Sequence, residues 1–180
     1  MKKSHRSLRR RPLFTPVWLS LLSGVALLFA GGWVWNSLGT TTVILVRHAE
    51  TVGDGPQRQL SPGGIERTAA LAQMLENVSL SAVYVSELPR TRATGEIVAA
   101  ATGAELIEMP AADAEELADR LRRRKGQTVL VVGHSNTLPV LIERLGGTPV
   151  AIDQDDHSQL LVLTTGWLER TRVLSLRYNP

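Results

Sequence analysis

The chain has 180 residues, enough for one ordinary domain with some length to spare. Its formal charge of +3 is unevenly distributed: the first forty residues hold six Lys and Arg and no acids, whereas the remainder carries fourteen basic and seventeen acidic residues. A nucleic-acid-binding domain would need a basic face on the folded body, so this distribution argues against such a partner. The absence of cysteine excludes disulfides, zinc–thiolate sites and a cysteine nucleophile.

The N-terminal region combines a basic tail with a long uncharged stretch. Residues 1–12 contain the six basic residues and are predicted to be a cytoplasmic tail. Residues 13–38 are predicted to be a transmembrane anchor or uncleaved signal, because their apolar core is close to the roughly 20 residues that span a bilayer. Two tryptophans stand where a cleaved signal would have small residues, so we expect a retained anchor. The chain after Gly39 is then expected to face the periplasm or the exterior.

Residues 39–180 are predicted to form one domain in which strands and helices alternate. The strands are predicted from β-branched apolar runs, and the helices from capping residues and amphipathic spacing. The predicted strands are 42–46, 82–86, 106–109, 128–132, 160–164 and 173–177. The predicted helices are 61–77, 89–101, 112–124 and 137–145. Strands separated by helices favour a three-layer α/β/α sandwich with a mostly parallel central sheet, preceded by one transmembrane helix.

Polar side chains follow three of the predicted strands. Arg47 and His48 follow the first strand, Ser86 and then Arg90 follow the second, and His134 follows the fourth. Ligands of an open α/β sheet bind beyond the carboxyl ends of its strands. Two histidines and two arginines at that edge would make a cationic pocket. Such a pocket suits a phosphate, because the planar arginine fork can bind two of its oxygens.

Three blocks of sequence around these residues resemble the histidine phosphatase superfamily, which includes the phosphoglycerate mutases. The first block is LVRHAET at 45–51, the second is S-x-L-x-R-T-x-x-T at 86–94, and the third is VGHSN at 132–136. They occur in the family's order and extend over nearly the whole part of the chain that follows the apolar segment. Within the superfamily, the chain resembles the short branch of the SixA type.

The resemblance implies a role for each matching residue. His48 is expected to be the nucleophile that becomes phosphohistidine, and Arg47, Arg90 and His134 are expected to hold the phosphoryl group. A neutral imidazole is a competent nucleophile near neutral pH, which agrees with this role. Ala49 stands where the family usually has glycine, which is a small change. No cofactor and no metal is expected.

The general acid that would protonate the leaving oxygen is less clearly marked. Mutase-like family members place a Glu between the second and third blocks, and this interval offers Glu105, Glu108, Asp113, Glu115 and Glu116. Asp113 is the predicted acid, because it precedes a helix from which it could reach the pocket. It is also a typical helix N-cap residue, so a purely structural role stays open. Glu108 is an alternative, and SixA-type phosphatases are expected to need no acid.

Two other charged features are interpreted without a role in chemistry. Arg92 lies two residues after Arg90, and we expect it in a solvent-facing salt bridge. The acidic run 153–156 is followed by His157, and we interpret this segment as a solvated loop rather than a metal site.

The sequence therefore predicts a membrane-tethered phosphatase. Its expected substrate is a phosphorylated small molecule, an envelope glycan or a phosphohistidine protein. A phosphoglycerate mutase fits less well, because the chain lacks the long insert between the second and third blocks that covers a sugar phosphate in mutases. A catalytically silent anion-binding or partner-binding domain of the same fold is the remaining alternative.

Overall fold

The computed structural model describes residues 17–166 and 171–179. The predicted cytoplasmic tail, residues 1–12, and the first part of the predicted anchor, residues 13–16, lie outside the described residues. The chain divides into two compact units, Met1–Trp35 and Asn36–Pro180.

The first described element is a long apolar helix, α1 (Val17–Leu38). Its side chains from residue 18 to residue 35 are all exposed. By length and composition, the segment Trp18–Trp35 could cross a membrane. A transmembrane anchor and a signal sequence share these properties, so the anchor stays a prediction.

The second unit alternates strands and helices, as predicted. Its helices are α2 (Pro62–Leu75), α3 (Pro89–Thr102), α4 (Ala114–Arg123) and α5 (Leu138–Arg144). Its strands are β1 (Thr41–Arg47), β2 (Thr51–Val52), β3 (Gln59–Leu60), β4 (Leu80–Val85), β5 (Glu105–Glu108), β6 (Thr128–Gly133), β7 (Gln159–Thr165) and β8 (Arg172–Arg177).

Six of these strands form one sheet in the order β5-β4-β6-β1-β7-β8. The first four are parallel, whereas β7 is antiparallel to β1 and β8 is antiparallel to β7. The prediction of a mostly parallel sheet is therefore confirmed. In the register, Val46 of β1 and Val85 of β4 both pair with Val132 of β6. The three strands that precede the predicted site residues thus end side by side.

Two apolar clusters lie on opposite faces of the sheet. Side chains alternate along β1, so that Val43 and Leu45 belong to the cluster that includes Leu121 of α4 and residues of α5. Ile44 and Val46 belong to the cluster that includes residues of α2 and α3. The predicted three-layer α/β/α sandwich is confirmed, and the central strands are buried on both faces.

One element was not predicted from the sequence. Strands β2 and β3 form a small antiparallel hairpin in which Thr51 pairs with Leu60. Two-residue strands are too short to show an alternating apolar pattern, so the sequence carries no clear signal for them. The hairpin leads into α2, whose N-cap is Ser61 as predicted: its Oγ accepts a hydrogen bond from the Gly64 amide, 3.0 Å away.

Candidate active site

Two histidines meet where β1 and β6 end. Arg47 pairs with Gly133 in the register, so the next residues of the two strands, His48 and His134, emerge beside each other. Their ring centroids are 5.3 Å apart in an edge-on arrangement. Both side chains are buried, at 3% and 8% exposure. The sheet register therefore brings together the two histidines that the sequence placed in different blocks.

The His48 side chain has one ring nitrogen engaged. Its Nδ1 lies 2.8 Å from the carbonyl oxygen of Ala49, which can only accept, so Nδ1 carries the proton. Neutral His48 then keeps its lone pair on Nε2. Burial above all, together with the positive charges of Arg47 and Arg90, lowers the pKa of His48 to about 3, although the Ala49 hydrogen bond acts in the opposite direction. The imidazole is therefore neutral at neutral pH, as a nucleophile must be.

Three arginines carry positive charge close to the two histidines. Arg47 and Arg90 were predicted from the sequence as site residues. Arg58, which lies between β2 and β3, was not. The pKa values of Arg47 and Arg90 are lowered first by burial and then by neighbouring positive charge, which for both includes Arg58. In the described part of the chain, no protein atom accepts from the buried Nε of any of the three guanidinium groups. Such clustered, partly unsatisfied donors fit an anion with several oxygens.

His134 is held by residues of the second block. Its Nε2 lies 3.2 Å from Ser86 Oγ, which is 2.6 Å from Thr91 Oγ1. The Thr91 hydroxyl also reaches the carbonyl oxygen of Leu88 at 2.8 Å. Burial, followed by the charge of Arg90, lowers the pKa of His134 to about 4. His134 is therefore also neutral at neutral pH, and its ring orientation is set by the Ser86 hydroxyl.

The backbone around His48 is supported by α2 and α3. The Ala49 amide donates to Thr94 Oγ1 of α3 at 3.3 Å. The Glu50 carboxylate pairs with Arg67 of α2, with Nε and Oε1 2.6 Å apart. Gly64 of α2 lies so close that a Cβ there would be 2.2 Å from the Glu50 carbonyl oxygen. The first block is therefore fixed by close packing as well as by the sheet.

The acidic segment 153–157, which follows α5, was interpreted from the sequence as a solvated loop, and the structure agrees only in part. Asp153 and Asp155 are exposed, as a solvated loop predicts. The carbonyl oxygens of Asp153 and Gln154, however, accept hydrogen bonds from Arg47 Nη1. His157 Nδ1 lies 2.7 Å from the His48 carbonyl oxygen. The segment therefore lines the candidate site. Its position depends on tertiary contacts, so no local sequence pattern indicates it.

The predicted general acid lies at the edge of the site. Asp113 caps α4, where its Oδ1 accepts from the Glu116 amide at 3.3 Å, so its structural role is confirmed. It also lines, together with Ser86 and His134, a small and mainly apolar pocket. The alternative acid, Glu108, pairs with Arg92, and both side chains are about half exposed. The expected solvent-facing salt bridge of Arg92 is confirmed.

The other three acids considered from the sequence, Glu105, Glu115 and Glu116, also pair with arginines. Their partners are Arg124 for Glu105, Arg120 for Glu116 and Arg144 for Glu115. All three carboxylates are well exposed. No group of three or more metal-ligating side chains occurs within residues 17–166 and 171–179.

Comparisons with known proteins agree with this geometry. A family model described as the histidine phosphatase superfamily, branch 1, matches residues 43–114. That range contains the first two of the three sequence blocks, with Arg47, His48, Arg58 and Arg90. No curated protein matches the chain significantly in sequence.

Solved structures with a similar fold include three phosphatases. The protein histidine phosphatase SixA complexed with tungstate has a TM-score of 0.64 at 20% identity, over 76% of this chain and 96% of that one. The mycobacterial glucosyl-3-phosphoglycerate phosphatase has a TM-score of 0.61 at 17% identity, over 78% and 99%. Phosphoserine phosphatase from Entamoeba histolytica, in complex with 3-phosphoglyceric acid, has a TM-score of 0.60 at 16% identity, over 77% and 98%. At these identities the similarity establishes the fold.

Proposed function

We propose that this chain is a membrane-tethered phosphatase of the histidine phosphatase superfamily, whose family model matches residues 43–114. It hydrolyses a phosphomonoester or a phosphohistidine through a phosphohistidine intermediate on His48. The observation that carries the proposal is the neutral, buried His48, with Nδ1 engaged by Ala49 and with Arg47, Arg90 and His134 as its charged and polar neighbours.

In the first step, Nε2 of His48 attacks phosphorus. A P–N bond forms while the bond from phosphorus to the leaving atom breaks, and the leaving group takes the electron pair. The proton on Nδ1 stays on the hydrogen bond to Ala49, so the phosphorylated ring is cationic. A cationic ring is a good leaving group, and in the second step water displaces it to give inorganic phosphate and neutral His48.

The arginines and His134 stabilise the phosphoryl group during both steps. Arg47, Arg58 and Arg90 present fixed positive charge to the non-bridging oxygens, which is the main requirement of phosphoryl transfer. Because the Thr91 hydroxyl donates to the Leu88 carbonyl oxygen, the Ser86 hydroxyl donates to Thr91 and accepts from Nε2–H of neutral His134. The negative charge of a bound phosphate favours a second proton on Nδ1 of His134, which then donates a hydrogen bond to the phosphoryl group.

Asp113 is the proposed proton donor to a leaving alkoxide. It lines the pocket that is also lined by His134, and the preceding segment begins at Met109, whose amide donates to the Val85 carbonyl oxygen at the end of β4, 2.9 Å away. A phosphomonoester of a simple alcohol needs such a donor because alkoxide is a poor leaving group. A phosphoramidate leaves more easily, so hydrolysis of phosphohistidine depends less on Asp113.

The tether and the substrate class are further parts of the proposal. The apolar α1 follows a basic segment, which favours a domain outside the cytoplasm under the positive-inside rule. The substrate is then a phosphorylated small molecule, an envelope glycan or a phosphohistidine protein. Full-length protein is expected to stay with membranes after carbonate extraction, and protease added to spheroplasts is expected to degrade the domain. A soluble product trimmed near Gly39 would contradict the tether.

The activity is tested with detergent-purified full-length protein and p-nitrophenyl phosphate. We expect hydrolysis by the parent and a loss of about a thousandfold or more in His48→Ala. Arg92→Ala is the matched control, because Arg92 pairs with Glu108 outside the pocket, and its turnover should stay within about twofold of the parent. A parent protein that binds inorganic phosphate without turnover would instead support the silent anion-binding domain.

A further inference from the structure

The segment 153–158, which we call the acidic loop, contacts both residues of the Arg47–His48 pair. Its carbonyl oxygens at Asp153 and Gln154 accept from Arg47. Its single histidine, His157, reaches the peptide that follows His48, with Nδ1 2.7 Å from the His48 carbonyl oxygen. The two imidazole rings lie 5.5 Å apart between centroids.

The His48 backbone is thereby held on both sides. Its amide donates to the carbonyl oxygen of Gly133 on β6, at 3.0 Å. Its carbonyl accepts from His157, and a carbonyl can only accept, so the proton of neutral His157 lies on Nδ1. The same peptide leads directly to Ala49, whose carbonyl orients the His48 ring. A rotation of this peptide would therefore also turn the imidazole.

We infer that His157 is a positioning residue for phosphoryl transfer: its Nδ1–H holds the peptide after His48, so that the Ala49 carbonyl keeps the proton on His48 Nδ1 and leaves Nε2 as the nucleophile. This inference rests on the proposed function. It assigns no contact between His157 and the substrate.

Other contacts keep the acidic loop in place without His157. Asp156 Oδ1 accepts from the amide and the hydroxyl of Ser158, at 2.8 and 2.6 Å. The Asp156 carboxylate also pairs with Arg177 of β8 at 2.8 Å. The loop thus has its own anchor to the sheet, and a change at His157 is expected to act on the His48 peptide rather than on the whole segment.

The charges around His157 agree with a neutral donor. Burial lowers its pKa most, and Arg47 and Arg67 lower it further, whereas the His48 hydrogen bond and Glu50 raise it; the net direction is downward. A neutral His157 at neutral pH has a single N–H. The carbonyl contact therefore uses the only proton that its ring carries.

Two amide substitutions at His157 distinguish the role of its hydrogen-bond donor from that of its imidazole ring. In His157→Asn the side-chain NH2 occupies approximately the position of Nδ1, whereas in His157→Gln it extends to the position of Nε2. We expect the rate of His48 phosphorylation, measured in single-turnover experiments on the full-length protein, to fall about tenfold in His157→Gln and to stay within about threefold in His157→Asn. The KM for p-nitrophenyl phosphate should change by less than about twofold in both.

A spectroscopic readout reports the position of the His48 proton directly. Long-range 15N–1H spectra of the histidines should show Nδ1–H on His48 in the parent and in His157→Asn, and a mixture of tautomers in His157→Gln. Gln159→Ala is the control for a nearby change, since Gln159 bonds Ser175 on the neighbouring strand, 3.3 Å away, and should match the parent in every measurement.

Equal phosphorylation rates in His157→Gln and the parent would overturn the inference, as would equal losses in the Asn and Gln variants. In both of those cases a parent that still becomes phosphorylated on His48 leaves the proposed function intact. A parent that is never phosphorylated would overturn the proposed function and this inference together.

Discussion

The carbonyl oxygen of Glu50 lies only 2.2 Å from the position that a Cβ atom on Gly64 would occupy. This contact presses the first turn of α2 against the peptide chain that follows His48. The position of His48, the candidate nucleophile, therefore depends on the absence of a side chain at Gly64.

Gly64→Ala is therefore expected to damage the site. Real Cβ atoms do not approach an oxygen this closely, so α2 or the Glu50 backbone must shift, at a cost of about 1–3 kcal/mol in the free energy of unfolding and with a loss of turnover. Gly63→Ala is the matched control, because its nearest neighbour would be Ser61 Oγ at 4.0 Å. Gly63→Ala should keep full turnover and gain about 0.5–1 kcal/mol in stability. Similar stability and turnover in the two variants would contradict the packing argument.

Arg58 is expected to bind phosphate although the sequence blocks do not include it. Arg58→Ala should weaken inhibition by inorganic phosphate about tenfold, because one guanidinium is removed from the anion pocket. Its charge also lowers the pKa of His134, so that pKa should rise above about 4 in the variant. An inhibition assay and a histidine NMR titration measure the two effects. Unchanged inhibition and an unchanged His134 titration would place Arg58 outside the pocket.

The buried histidines should make the unliganded protein sensitive to acid. In the unfolded chain a histidine binds a proton near pH 6.5, whereas His48 and His134 stay neutral down to about pH 3 and 4. Between pH 6.5 and these lower values, the unfolded chain binds more protons than the folded protein. The free energy of unfolding therefore falls as the pH is lowered below 6.5. The slope is up to about 1.4 kcal/mol per pH unit for each histidine.

Thermal unfolding of the full-length protein between pH 7 and pH 5 checks this direction. His48→Ala should lose less stability than the parent over that range, because one of the two groups no longer takes part. A parent that is equally stable at both pH values would contradict the burial of neutral histidines.

The dependence on the leaving group tests the role of Asp113. Asp113→Asn should slow the hydrolysis of alkyl phosphates about a hundredfold, and that of p-nitrophenyl phosphate much less, because nitrophenolate leaves without a proton. Comparison of kcat/KM for the two substrates gives the answer. Asparagine is also a good helix N-cap, so the start of α4 should be kept. Equal losses on both substrates would leave Asp113 with its capping role alone.

The fold was largely predictable because its central strands are simple. Parallel strands buried on both faces appear in the sequence as continuous apolar runs, and β1, β4 and β6 are such runs. Ser61 and Pro62 marked the start of α2 by their capping chemistry. The site residues Arg47, His48 and His134 follow directly from these strands, since parallel strands end at a common edge of the sheet.

The residues that the sequence did not assign to the site lie in segments shaped by tertiary contacts. Arg58 lies beside a two-residue strand, which has no periodic pattern. His157 follows an acidic run whose composition is typical of a solvated loop, and its contact with His48 depends on the anchoring of Asp156 by Ser158 and Arg177. No local propensity encodes either position.

The nucleophile itself is tested most directly by trapping the intermediate and locating its phosphorus. Brief incubation with a labelled phosphomonoester, followed by a quench without acid, should leave acid-labile and base-stable label on the parent protein. Because Nδ1 is engaged by Ala49, the phosphoryl group should be on Nε2 of His48, as 31P and 15N NMR of the labelled protein would show. His48→Ala should show neither label nor turnover. Label on Nδ1, or near-normal turnover in His48→Ala, would contradict the account.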